Sequence, residues 1–262
     1  MLPLLDENPT QRFPILTVLL IVLNVAVFVF QLQRPEGPSG VGAQNGVYYA
    51  AANSQQGLAC SYGLIPDRLL HGDRQVEPAQ LPDGRVIPAC EELNERHPRY
   101  LALLTSLFVH GGWLHLLGNM LFLWVFGNNV EDRLGRVRFL PFYVLCGIAA
   151  GLVQSLVTSS DSTPLIGASG AISGILAAYL VLYPRARVWT LVFFIPLRLA
   201  AWFVIIAWFL FQFLYAAGQS QGGSGVAYWA HVGGFLAGLA LIKPFLMGRP
   251  PSRPPPRPVT IP

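Results

Sequence analysis

Long apolar runs alternate with short polar edges along most of the chain. Residues 14–31 form the first run, with Asn24 its one strongly polar interior side chain. Residues 112–130, 139–158, 199–217 and 226–242 repeat the pattern, each close to the twenty or so residues that a helix needs to cross a bilayer. Segments 101–109 and 188–198 are apolar but interrupted, the second by Pro196, and are expected to lie at the interface. One run is too short. From Ser169 to Tyr183 no residue is charged, and Pro184-Arg185-Ala186-Arg187 then marks a polar edge. At about 1.5 Å per residue this helix covers roughly 22 Å of a hydrocarbon core about 30 Å thick. With its charged end at one surface, Ser169 lies inside the membrane. Backbone N–H groups freed at that depth find no partner in hydrocarbon, so segment 159–168 must line a watery, protein-enclosed cavity.

Composition supports a membrane protein. Of 262 residues, 53% are hydrophobic and 11% charged, against about 25% charged in soluble domains. The expected organisation is a leader (1–12), one membrane domain (13–247) that includes a long Gly/Pro-rich loop (33–100), and a disordered Pro/Arg-rich tail (248–262). That loop holds eight of the thirteen acids, so it lies outside the bilayer, and it reads mostly as connector with a partly ordered piece at 60–66. The net charge of +4 does not indicate a nucleic-acid partner, because the basic residues sit at the ends of apolar runs and form no patch interleaved with aromatics. They report topology instead. Arg133, Arg136, Arg138, Arg185, Arg187, Lys243 and Arg249 share one side with both termini, whereas loops 159–168 and 218–225 contain no Arg or Lys. Both termini are therefore expected in the cytoplasm, with the cavity above Ser169 open to the outside. The first run lacks a cleavage site and no organelle-targeting extension is visible, which points to a bacterial plasma membrane. Cys60 and Cys90 share the long loop and form a disulfide or remain two buried thiols, while Cys146 lies within a span.

No Asp, Glu, Lys or Arg falls inside the predicted spans, so His115, Asn119, Ser169 and His231 are conspicuous. Either Ser169 or His231 alone is more simply read as a packing residue. Together they sit on two small-residue ridges. Gly170, Gly174 and Ala178 follow Ser169 at a spacing of four, and Ala230, Gly234 and Gly238 flank His231 at the same spacing. Such ridges let helix backbones approach closely, and a serine nucleophile must come within about 3 Å of the imidazole that takes its proton. His115 and Asn119 are four apart on one helix face, and both carry N–H donors suited to an oxyanion hole. His110, about 140° away on a continuous helix, is expected to point elsewhere and to fix the preceding loop.

Gly167-Ala168-Ser169-Gly170, His110-x4-His115-x3-Asn119 and Ala230-His231-x-Gly233-Gly234 resemble the rhomboid family of intramembrane serine proteases over about residues 100–247. The resemblance implies an all-α bundle of six transmembrane helices whose short fourth helix begins inside the membrane. It implies Ser169 as nucleophile, His231 as general base, and an oxyanion hole of His115, Asn119 and the Ser169 N–H. His110, Gly167, Gly170 and Gly234 give structural support. Substrates would be membrane proteins cut near the outer boundary of the bilayer, with no metal or cofactor. Two positions depart from the pattern: Ser173 stands where a Tyr often stacks on the base, and Arg99-Tyr100 where a Trp-Arg pair is frequent. A metalloprotease using His110, His115 and His231 lacks a His-Glu-x-x-His helix. A transporter would show a repeated pair of broken helices, which are missing. A non-catalytic binder of transmembrane segments is the remaining alternative, although it would be expected to lose Ser or His.

Overall fold

The computed structural model describes residues 1–35, 43–44, 47–48, 50, 54–73, 78–80, 86–218 and 226–249. Strand β1 (Leu2–Asp6) precedes helix α1 (Ile15–Leu32). The long loop carries α2 (Gln55–Tyr62), α3 (Pro66–His71) and α4 (Cys90–Asn94). It also carries two short antiparallel ladders, β2 (Ala43–Gln44) with β3 (Val47–Tyr48) and β4 (Ala79–Gln80) with β5 (Val86–Ile87). A 3₁₀ turn (Arg99–Leu101) and α5 (Ala102–Thr105) lead to α6 (Trp113–Phe122), which passes through a π turn (Leu123–Gly127) into α7 (Asn128–Leu134). Then come α8 (Arg136–Val157), α9 (Ser169–Leu182), a hairpin of β6 (Arg187–Val192) and β7 (Ile195–Ala200), α10 (Ala201–Gly218) and α11 (Tyr228–Leu246). Among the described residues, α1, α8, α10 and α11 are long and apolar enough to cross a membrane.

Helix α9 is the axis of the bundle. Every residue from Gly170 to Tyr179 is buried, against α8 on one side and α11 on another. A helix that is apolar all round belongs in the interior, whereas α1 and α10 leave Leu19, Val22, Phe30, Phe203 and Phe211 on the outside, as lipid-facing helices do. Contact with α11 is at backbone distance: a Cβ added to Gly234 would collide with the carbonyl of Gly170, and one added to Gly170 would come within 2.5 Å of Ala150 Cβ. The charged segment of α7 also has structural work. Buried Glu131 accepts from Leu16 N (3.0 Å), Thr17 N (2.7 Å) and Thr17 Oγ1 (2.8 Å), so a carboxylate from α7 caps the N-terminus of α1.

Three expectations need correction. The chain is not all-α, because β1, β6 and β7 form an antiparallel sheet in that order, with β6 in the centre. Leu2 pairs with Leu191 and Asp6 with Val188, so the leader 1–12 begins as a structural strand, and segment 188–198 falls within the β6–β7 hairpin. The Val-Trp-Thr-Leu-Val run is rich in residues that favour strands, and Pro196 falls on the edge strand, where a missing N–H is tolerated. The described part of loop 33–100 is more than connector: Ala50, Cys60, Ile65, Cys90 and Leu93 form its own small core, Cys60 and Cys90 are disulfide-bonded, and Cys146 is a buried free thiol. Asn94 Nδ2 donates to the carbonyls of Cys60, Ser61 and Gly63 within 2.6–3.0 Å, tying α4 to the end of α2. The expected disorder of the tail concerns positions from 250 onward, which lie outside the described residues, as do positions 219–225.

At the opposite end of α9 from Ser169, Asp6 Oδ2 accepts from Tyr179 O–H (2.8 Å) and Asn129 Nδ2 (2.7 Å). Burial pushes this carboxyl up from its ordinary 3.8 to about 6, against the pull of those hydrogen bonds. The folded chain therefore holds the proton more tightly than the unfolded chain. Its stabilising contribution is complete below 3.8 and is lost as pH rises through about 6. Relative to Asp6→Asn, the parent is expected to lose on the order of 2 kcal/mol between pH 4 and pH 7, allowing for partial exposure. Thermal midpoints of both forms in one detergent would report this as a widening gap. A gap that stays constant over that range would remove Asp6 as the cause.

Candidate active site

Ser169 is the first residue of α9, and the segment before it is fixed from several sides. Leu165 and Leu64 exchange backbone hydrogen bonds (2.8 and 2.9 Å), so the disulfide-bearing loop braces the approach to the serine. Gly167 N donates to Ser106 O at 2.8 Å. Gly167 has φ +111°, and a Cβ there would come within 2.5 Å of His115 Nε2 and 3.4 Å of Asn119 Nδ2. Glycine suits the position, because L side chains rarely adopt this backbone angle and the His115 ring stands where a Cβ would go. The same numbers show that His115 and Asn119 converge on the backbone two residues before Ser169.

Ser169 and His231 come together across the α9–α11 contact, with Ser169 Oγ 2.8 Å from His231 Nε2. His231 Nδ1 is 2.7 Å from Oε1 of Gln212 on α10. The imidazole lies between Trp208 of α10 (centroids 5.8 Å apart, tilted 39°) and Tyr228 of α11 (6.2 Å, 89°). Ser173 makes no bond to the His231 ring; its Oγ donates to the Ser169 carbonyl one turn back at 2.7 Å. The start of α11 is held by Ala230 N, which donates to Gln154 Oε1 at 3.0 Å.

His110 departs from its expected position. Helix α6 starts only at Trp113, and Gly112, at φ +152°, turns the chain just before it, so the angular argument for a continuous helix does not reach residue 110. The ring meets His115 edge-on (centroids 5.1 Å) and accepts from Asn119 Nδ2 at Nε2 (3.0 Å). Its Nδ1 faces the Phe108 carbonyl at 3.2 Å, which puts the proton on Nδ1 and leaves Nε2 as acceptor. The surrounding loop is tied to α1 by paired bonds with Gln31, each 3.1 Å. In His115, Nδ1 accepts from Gly111 N at 3.3 Å, which leaves Nε2–H directed at Gly167.

These groups line an open cavity of about 970 Å³ between α6, α8, α9, α10 and α11, with Asp161 at its rim. Asp161 Oδ1 accepts from Thr163 N (2.8 Å), and its carbonyl accepts from Asp67 N (3.1 Å). Free helix N–H donors, a hydroxyl on an imidazole and two further directed donors are together suited to acyl transfer. Among the described residues, no group of three or more His, Cys, Asp or Glu could hold a metal ion. Sequence reasoning passed over Gln212 and Trp208. The available signal was that Gln212 is the one amide in the otherwise apolar α10, the same criterion that singled out Asn119.

Comparison with known proteins bears on the same stretch. Residues 97–248, more than half of the chain, match the Rhomboid domain. Rhomboid protein 1, mitochondrial, of Saccharomyces cerevisiae is 32% identical over 143 residues, covering 53% of this chain and 40% of that protein. RHOMBOID-like protein 5 of Arabidopsis thaliana is 30% identical over 170 residues, 62% of this chain and 49% of that one. The human presenilin-associated rhomboid-like protein, mitochondrial, is 30% identical over 142 residues, 52% and 36% respectively. The chain thus spans half or less of the length of each of these relatives. Two of the names are mitochondrial, so these relatives lend no support to the bacterial plasma membrane expected from the sequence. Ser169, His231 and the pair His115/Asn119 all fall inside the matched residues, and the chain belongs to the rhomboid family.

Proposed function

We propose that this chain is an intramembrane serine endopeptidase that cuts transmembrane proteins near the membrane boundary on the side where the cavity opens. The observation that carries the reading is the 2.8 Å contact between Ser169 Oγ and His231 Nε2, at the head of a helix only 14 residues long. Six spans are assigned to α1, the α6–π–α7 run, α8, the short α9, α10 and α11. Both termini lie on the Arg-rich side, taken as cytoplasmic, and the disulfide Cys60–Cys90 suits the opposite, oxidising side. The membrane domain is residues 13–247, with β1 of the leader packed against it.

In the proposed mechanism His231 Nε2 takes the Ser169 proton as Oγ attacks the scissile carbonyl. Charge developing on the carbonyl oxygen is met by the Ser169 N–H, His115 Nε2–H and the second N–H of Asn119. The imidazolium then gives its proton to the leaving amine. Water from the open cavity, activated by the same imidazole, releases the acyl-enzyme. A fluorophosphonate should label the detergent-purified parent and not Ser169→Ala, and the parent alone should cleave members of a panel of single-span substrates. A labelled but inert protein across a broad panel would favour the non-catalytic binder.

A dyad rather than a triad has its own consequence. Asp161 is occupied in a surface turn and makes no bond to His231. Asp161→Ala is expected to keep cleavage within about tenfold of the parent, whereas a triad Asp changed to Asn loses roughly 10⁴. A loss near that larger figure in a folded variant would overturn the two-residue reading.

A further inference from the structure

The base of the proposed dyad has an uncharged partner. Gln212 is a buried amide in the middle of α10, and Trp208 lies one turn before it on the same helix face. One presents its amide oxygen to the edge of the His231 ring at 2.7 Å, and the other presents an indole to its face. An amide oxygen has lone pairs and no proton, so a contact this short requires the imidazole proton to be on Nδ1. That leaves the Nε2 lone pair facing Ser169 O–H, 2.8 Å away, which is the tautomer a general base must have.

We infer that Gln212 is the positioning residue for the base: it selects the Nδ1–H tautomer of His231 and holds the ring, together with Trp208, in place of a stacking side chain at position 173. Ser173 cannot do this, since its hydroxyl is spent on the Ser169 carbonyl. The role matches that of a triad carboxylate in tautomer and orientation but not in charge. An amide stabilises the imidazolium only as a dipole, so the base stays less basic than one backed by a carboxylate. It also avoids placing an ion at membrane depth, which is expensive without a paired partner. Among the described residues, the other titratable groups near the ring are Tyr228 of α11, which meets it edge-on, and His115, which lines the same cavity. Among the described residues, the one carboxylate lining the cavity is Asp161 at its rim.

The inference rests on the dyad reading for its catalytic meaning but not for its geometry, and two measurements separate them. The first is ¹⁵N NMR of histidine-labelled protein in detergent, with the His231 signals assigned by their loss in His231→Ala. The parent should show the Nδ1–H tautomer, and Gln212→Met, of similar size but without the acceptor, should show a mixture. The second is the pH–rate profile of cleavage. Gln212→Met should lower kcat by about 10² to 10³ with KM within about threefold, less than the roughly 10⁴ recorded for a triad aspartate exchange. Gln212→Glu should remain active and move the acid limb to higher pH, because a carboxylate favours the charged imidazole; a purely structural amide would leave that limb in place. An unchanged tautomer in Gln212→Met, or an unmoved acid limb in active Gln212→Glu, overturns the inference while leaving the dyad intact. A parent that neither labels nor cleaves, yet shows the tautomer shift, overturns the dyad and leaves the positioning role standing.

Discussion

Ser169→Ala and His231→Ala are each expected to reduce cleavage by at least about 10⁴, and the double variant is expected to be no slower than either single one. The reason is that in the proposed mechanism the two groups perform one step. Without the hydroxyl the imidazole has nothing to deprotonate, and without the imidazole a serine hydroxyl at ordinary pH is a poor nucleophile, so the second deletion removes nothing further. What remains should come from the donors around Gly167, which orient and polarise a bound carbonyl whether or not a nucleophile is present. Folding should change little in Ser169→Ala, because the side chain lies on an open cavity and the backbone of α9 is held by Gly170 and Gly174 against α8 and α11. His231→Ala deprives buried Gln212 of its partner, and a decrease in stability of about 1–3 kcal/mol is expected there. Chelators should leave the parent rate unchanged. The decisive comparison is turnover of one substrate by parent, both single variants and the double in one detergent. Substantial cleavage by Ser169→Ala, or additive losses in the double, would show that the two side chains do not act as a unit.

How much of this could be read from the sequence depends on the length scale of each cause. The four long candidate spans were legible because lipid imposes a simple rule, about twenty apolar residues with polar edges, and residues 14–31 and 139–158 differ from α1 and α8 by only a few positions. The meeting of Ser169 and His231 was legible for a related reason: glycines at a spacing of four on two helices constrain both partners to backbone contact, and these two residues sit on those same ridges. The sheet was not legible. Leu2–Asp6 carries no strand signal by itself and is ordered by pairing with Arg187–Val192, some 180 residues away. Gln212 was visible as an amide among hydrocarbons, but its partner lies on another helix, and no spacing within α10 reveals which way it points. His110 was misjudged for a local reason. The 140° angle assumes a helix continuous back to residue 110, whereas Gly112 takes a φ of +152° and α6 starts at Trp113, so a rotation of 100° per residue cannot be carried back past that point.

The turn at Gly112 changes what α6 should do when mutated. Asn119→Ala is expected to lower kcat by about 10² to 10³, or roughly 2.7 to 4 kcal/mol of transition-state stabilisation, with KM little altered, because the lost donor acts on charge that appears only in the transition state. On a continuous helix His110→Ala would be expected to cost stability more than intrinsic rate. Its Nε2 instead accepts one N–H of Asn119 at 3.0 Å, which leaves the other N–H for the carbonyl oxygen in the proposed mechanism. Removing the ring should therefore free the Asn119 amide to rotate and slow catalysis, by about tenfold, while leaving Gln31 to hold the backbone of the loop through its two 3.1 Å bonds. The double variant separates direct from indirect action: if His110 works through Asn119, His110→Ala should cost almost nothing further in an Asn119→Ala background. Single-turnover cleavage of the four forms, with thermal unfolding in the same detergent, gives the coupling directly. Equal rate losses from His110→Ala in both backgrounds would mean that the imidazole serves the reaction without Asn119, or only supports the fold. A kcat in Asn119→Ala within threefold of the parent would remove its amide from the oxyanion hole and leave His115 and the Ser169 N–H as the donors.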